Sequence, residues 1–134
     1  MEMNVIKAKE FQGEWRIVET ELWDREALDL VAPAMLTLGP KGLGHASFIA
    51  VDLDLDYRVV TRGGLPGIEF TFYGLDEGDE VMGRGYAVLQ DRKLQGRLFF
   101  HQGDDSSFAA KRKRNQPPPA NKSVQPTARS ARGG

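Results

Sequence analysis

The chain has 134 residues, 40% of them hydrophobic and 28% charged, with no cysteine and a net charge of -1. That length suits one domain around one core. The composition excludes a disulfide framework, a thiolate metal site and a cysteine nucleophile, and no apolar run approaches the ~20 residues of a membrane span. The opening residues 1–7 lack the basic start, apolar middle and small-residue cleavage site of a secretory signal. A reducing, cytoplasmic setting is therefore the expectation.

Residues 1–10 are read as a lead-in. Phe11 to Leu22 opens a series of strands, anchored by Trp15 and Ile17. Asp24 can cap a short helix that places Ala27, Leu28 and Val31 on one face and stops at Pro33. Met35 to Leu38 is a short strand before the turn at 39–42. Leu43 to Val60 carries the clearest period of two: Ile49, Val51, Leu53, Leu55, Tyr57 and Val59 on one face, Asp52, Asp54, Asp56 and Arg58 on the other. Eighteen residues is long for one strand, so a bend is expected near Asp54–Asp56.

After a loop at 63–67, Ile68, Phe70 and Phe72 alternate with polar residues. Asp76 to Glu80 reads as a turn, Gly83 to Leu89 as a strand, Asp91 to Lys93 as a turn and Leu94 to His101 as a strand. Gly103 to Ser106 turns the chain again before Phe108 and Ala110 close the pattern. About eight strands joined by short turns predict an all-β fold, an up-and-down antiparallel barrel over residues 11–112 with one short helix after the first strand. A two-sheet sandwich is the alternative.

Residues 1–112 carry 13 basic and 19 acidic side chains, a net charge of -6, whereas residues 113–134 carry five basic ones and no acid. This second segment also holds four of the seven prolines and reads as a disordered tail. Its stretch 121–127 resembles translated repeat sequence at the ends of some bacterial reading frames. The basic run 111–114 invites nucleic acid, but the acidic body repels phosphates and the tail has no aromatic residue to stack on bases.

Phe11-Gln12-Gly13-Glu14-Trp15 has the F-x-G-x-W form and resembles the opening of calycin-type barrels, the group of lipocalins, fatty-acid-binding proteins and avidins. The resemblance implies that Trp15 plugs one barrel end beneath a basic residue of the last strand, here Arg112. The chain departs from the group in its short body and in lacking both a Thr-Asp-Tyr motif and the Arg-x-Tyr pair that grips carboxylates, so no ligand chemistry follows. The segments 21–24, 83–85 and 99–106 together are similar to a family of small bacterial proteins without an assigned activity.

His101 with Asp104, Asp105 and Ser106 is the densest polar constellation. It reads as a base, an orienting acid and a nucleophile, or more simply as turn chemistry. Alternation puts His101 with Arg97 and Phe99, so it faces outward if Phe100 lines the interior, and inward otherwise. Trp23 covers either core or a ligand at a barrel mouth. The Asp52, Asp54 and Asp56 spacing suggests calcium, but Tyr57 stands where the calcium loop needs glycine. Two histidines give no zinc constellation, and no cofactor is implied.

The reading that results is a non-enzymatic barrel binding a small molecule or peptide. Its candidate ligand residues are Trp23, Arg84, Arg97, His101, Asp104 and Asp105, with Trp15 and Arg112 as a structural plug. The alternatives are an acid–base enzyme at the rim, using His101 or Glu69 with Arg84, and a homo-oligomeric structural protein.

Overall fold

A computed structural model describes residues 9–113. Most of the expected lead-in and nearly all of the expected disordered tail lie outside the described residues. Eight strands follow in order: β1 (Gly13–Thr20), β2 (Met35–Leu38), β3 (Leu43–Phe48), β4 (Val51–Arg62), β5 (Leu65–Asp76), β6 (Asp79–Gln90), β7 (Lys93–Phe100) and β8 (Asp105–Arg112). Each pairs antiparallel with the next, and β8 returns to β1 from Trp15↔Arg112 to Thr20↔Phe108, so the sheet is a closed up-and-down barrel. The register of β1 against β8 slips between Ile17 and Glu19. Closure leaves no lateral edge to aggregate. Among the described residues no helix is long and apolar enough to cross a membrane.

Four hairpins have two-residue turns, at 49–50, 63–64, 77–78 and 91–92. Such turns fix register, and register decides which side chains face inward. The expected bend at Asp54–Asp56 is corrected by the first of them. The long run breaks at Ile49-Ala50, and β4 continues straight through the aspartates to Arg62. Ile49 adopts a φ of 55°, which a β-branched residue rarely takes. Two contacts offset that cost: its N–H donates to Leu28 O at 2.9 Å, and its side chain packs on the core.

The short helix α1 (Arg25–Leu28) begins as the sequence implies, with Asp24 accepting from the Ala27 N–H at 2.9 Å. It ends well before Pro33, which corrects the expected stop, and Val31 lies beyond the helix, 72% exposed. Asp29 is the reason. Its carboxylate leaves the helix to accept from the Ala34 N–H at 2.9 Å and from Arg16. The Ala34 hydrogen bond, with Arg16 beside it, holds the Asp29 carboxyl below its ordinary value of 3.8.

A pH test follows from that direction. A carboxyl depressed in the folded state stabilises fully above its unfolded value, and the contribution fades as pH falls through the folded one. Asp29→Asn is expected to cost about 1 kcal/mol near neutrality. Urea unfolding of both proteins at a series of pH values should show that gap narrowing below pH 3.8. A gap constant down to strong acid would remove the ion pair from the explanation.

Candidate functional site

The barrel interior is built from the inward-facing residues of β4 and β5: Leu53, Leu55, Ile68, Phe70 and Phe72 are all buried. Opposite them β6 presents Gly83, Gly85 and Ala87. The glycines are required there. A Cβ on Gly85 would lie 2.6 Å from the Phe70 ring and one on Gly83 2.5 Å from the Phe72 ring. The rings occupy the room that the missing side chains leave, so little space remains. The interior holds a cavity of about 20 Å³ lined by Thr20 and apolar side chains, Phe70 and Phe72 among them. That volume suits roughly one water, whereas small-molecule sites run to about 300–1,000 Å³.

A tryptophan stands at each end. At one, Trp15 is 1% exposed, donates Nε1–H to Phe11 O at 2.9 Å and lies 4.4 Å beneath the Arg112 guanidinium. Arg112 in turn donates to Gln12 O at 2.8 Å and to Glu10 O. Burial draws its pKa down. At the other end the half-buried Trp23 sets its ring 5.5 Å from Phe48. Ser106, fully buried, accepts from the Glu21 and Leu22 N–H groups at 3.2 Å each and donates to Ser107 O at 2.8 Å. The expected turn residue Ser106 is thus a strand residue that fastens the covering segment to β8.

The register of β7 decides the question of His101. Gly83 faces Phe100 and Gly85 faces Leu98, so the Phe100 face lines the interior. His101 falls in the exposed turn after β7, with Asp104. No side-chain hydrogen bond or ion pair joins His101 to Asp104 or Asp105. Asp105 instead pairs outward with Arg97 at 2.8 Å, and Glu21 meets the same guanidinium at 3.2 Å. The Asp105 hydrogen bond raises the Arg97 pKa above its ordinary value. The sequence-derived ligand residues are therefore divided: Trp23 at the mouth, His101 and Asp104 in a turn, Arg97 with Asp105 in an ion-paired cluster, Arg84 elsewhere. Among the described residues no three His, Asp or Glu side chains converge on a metal position.

Arg84 belongs to a different feature. The outer faces of β4, β5, β6 and β7 enclose a groove of about 380 Å³. Arg58, Arg62, Arg84, Thr71, Tyr86 and Phe99 line it, together with Asp56 and Glu69. Arg62 stacks on Tyr86 with its guanidinium carbon 3.6 Å from the ring centre, and Arg84 stands 4.9 Å from the centre of Phe99. Arg62 also meets Glu69 at 3.7 Å. Among the described residues Arg58 and Arg84 have no ion-pair partner.

Arg58, Arg62, Tyr86 and Phe99 escaped the sequence reading because they come from different strands. Alternation places each on a wet face, but only the two-residue turns at 63–64 and 91–92 bring Arg58 opposite Glu69 and Arg84 opposite Phe99. No family model, curated protein or solved structure matches this chain.

Proposed function

We propose that the protein is a non-enzymatic binding module that works on its outer wall, the groove over β4–β7 receiving a ligand that carries oxyanions. One observation carries this reading: two arginines that make no ion pair among the described residues, Arg58 and Arg84, stand in a concavity with the Tyr86 and Phe99 rings, which Asp56 and Glu69 also line. Arg16 and Arg97, elsewhere on the barrel, are each matched by carboxylates. A guanidinium held over a ring presents its N–H fork in a fixed plane, which suits carboxylate or phosphate. The small interior cavity, about 20 Å³, supports the outer wall over the interior as the place of binding. The F-x-G-x-W opening and the Arg112 cover over Trp15 support kinship with calycin-type barrels, used here without their internal cavity. A cytoplasmic, bacterial setting belongs to the same reading.

The probe for this reading is a fluorescein-labelled pentapeptide of four glutamates around a tyrosine, titrated by polarisation. Arg84→Ala and Arg58→Ala are each expected to weaken binding about tenfold, the loss of one charge-assisted contact. Arg25→Ala, on the distant α1, should leave it unchanged. Inorganic phosphate as a competitor reports whether the groove reads the oxyanion alone. Equal weakening by all three substitutions, or no saturable binding at millimolar protein, refutes the groove.

A further inference from the structure

The polar groups left unspent in the groove are of both signs. Direct strand pairing sets Asp56, Thr71, Arg84 and Phe99 in one row across β4–β7. The next row carries Arg58, Glu69 and Tyr86. Neighbours within a row stand about 4.8 Å apart and the two rows about 7 Å apart, so one small molecule spans them. Among the described residues Asp56 makes no ion pair, as Arg58 and Arg84 make none, and the Thr71 and Tyr86 hydroxyls have no hydrogen-bond partner. Glu69 is held only by Arg62, at 3.7 Å.

That mixture narrows the ligand. A polyanion would set like charge against Asp56 and Glu69 while it met the arginines, and the net charge of -6 on residues 1–112 would repel it at longer range. A carboxylate accepts hydrogen bonds and cannot donate, so Asp56 has to meet donors. Neutral hydroxyls supply them without bringing a charge, and they also suit Thr71 and Tyr86, whose hydroxyls donate and accept. Arginine only donates, and its fork fits a carboxylate or a phosphate. Arg58 and Arg84 stand on either side of β5, in different rows. Phe99 completes the surface, its ring centre 4.9 Å from the Arg84 guanidinium carbon and 6.3 Å from the Tyr86 ring. An aromatic face of that kind takes the apolar C–H face of a saturated ring. The groove's volume of about 380 Å³ is that of a small-molecule site.

We propose that the ligand of the groove is a sugar bearing one anionic group, a uronate or a sugar phosphate. Its anion lies between Arg58 and Arg84, its hydroxyls donate to Asp56 and Glu69, and its ring rests on Phe99. The proposal rests on the groove being an oxyanion receptor, names the molecule that carries the oxyanion, and gives the two acids a part in holding it.

Chemical-shift titrations of the isotope-labelled full chain test it. Glucuronate and glucose 6-phosphate are the probes, with glucose, inorganic phosphate and tyrosine as comparisons. The better anionic sugar should bind about tenfold more tightly than any comparison, and which of the two it is tells a uronate from a sugar phosphate. The decisive variant is Asp56→Ala, which removes an exposed side chain and leaves the core untouched. It should weaken the anionic sugar about tenfold, because hydrogen bonds to a charged acceptor are lost. The labelled glutamate peptide should bind that variant as well as before or better, because a repelling charge has gone. A sugar affinity that Asp56→Ala leaves alone or raises overturns the proposal. So do anionic sugars that bind no more tightly than glucose, phosphate or tyrosine. The peptide separates the two readings: if it still binds through Arg84, the groove stands and only the sugar falls. If the peptide fails as well, both fall.

Discussion

Trp15→Ala is expected to lower stability by about 3–5 kcal/mol, a large part of the 5–15 kcal/mol typical of a small domain. The indole is essentially without solvent contact, and three interactions depend on it. Its removal leaves Phe11 O without the Nε1–H donor and withdraws the ring on which Arg112 is stacked. It also opens a void where β1 meets both β2, through Leu36, and β8, through Arg112. The Arg112 head would keep its bonds to Gln12 O and Glu10 O, so the closure loosens without leaving a bare cation. Trp23→Ala should cost clearly less, because that ring is half-buried and has one aromatic neighbour, Phe48. Urea midpoints compare the two, and acrylamide should quench the Trp23 emission more than that of Trp15. A Trp15→Ala cost no larger than that of Trp23→Ala would mean that the Arg112 end does not hold the barrel shut.

How far the sequence was legible depends on whether the physics was local. Alternation from Val51 to Tyr57 and from Ile68 to Phe72 identified the inner faces of β4 and β5, because period two is a property of one strand. Asp24 was legible as a cap for the same reason. The turn at Ile49-Ala50 was not, since neither residue favours a positive φ. Its support comes from Leu28, twenty-one residues earlier in the chain. Ser106 looked like a turn residue until its partners, the backbone N–H groups of Glu21 and Leu22, were brought eighty-odd residues to meet it. The groove was hidden most completely. Arg62 and Tyr86, or Arg84 and Phe99, become neighbours only when four strands take their registers.

The location of the groove follows from how the interior is filled. Small residues on β6 let the Phe70 and Phe72 rings come close to that wall, and the interior cavity they line is about 20 Å³. The concavity on the outer wall, about 380 Å³, is far larger than the cavity of about 20 Å³ inside. The wall is also where cross-strand pairs hold arginines over aromatic rings on a rigid sheet. Of the sequence-derived candidates for a site at a barrel mouth or face, Arg84 is the one that lines this groove.

Phe72→Ala tests that logic from the inside, and a loss of about 3–5 kcal/mol is expected. The Phe72 ring meets Phe100 edge-on at 5.0 Å between centres and Phe70 at 6.5 Å, and its far end fills the space over Gly83. Nothing flexible stands ready to replace it, because both neighbours are rings fixed by the closed sheet. Truncation therefore enlarges the present cavity of about 20 Å³ by roughly 100 Å³, and at ~24 cal/mol per Å³ the void alone accounts for about 2.4 kcal/mol. Lost transfer free energy supplies the remainder. An apolar void of that size stays dry and accepts benzene. Benzene should raise the unfolding temperature of Phe72→Ala while leaving the wild-type protein unaffected. If the wild-type barrel is already stabilised by benzene or by a longer apolar ligand, the interior opens in solution, and the outer wall loses its claim as the place where this protein binds.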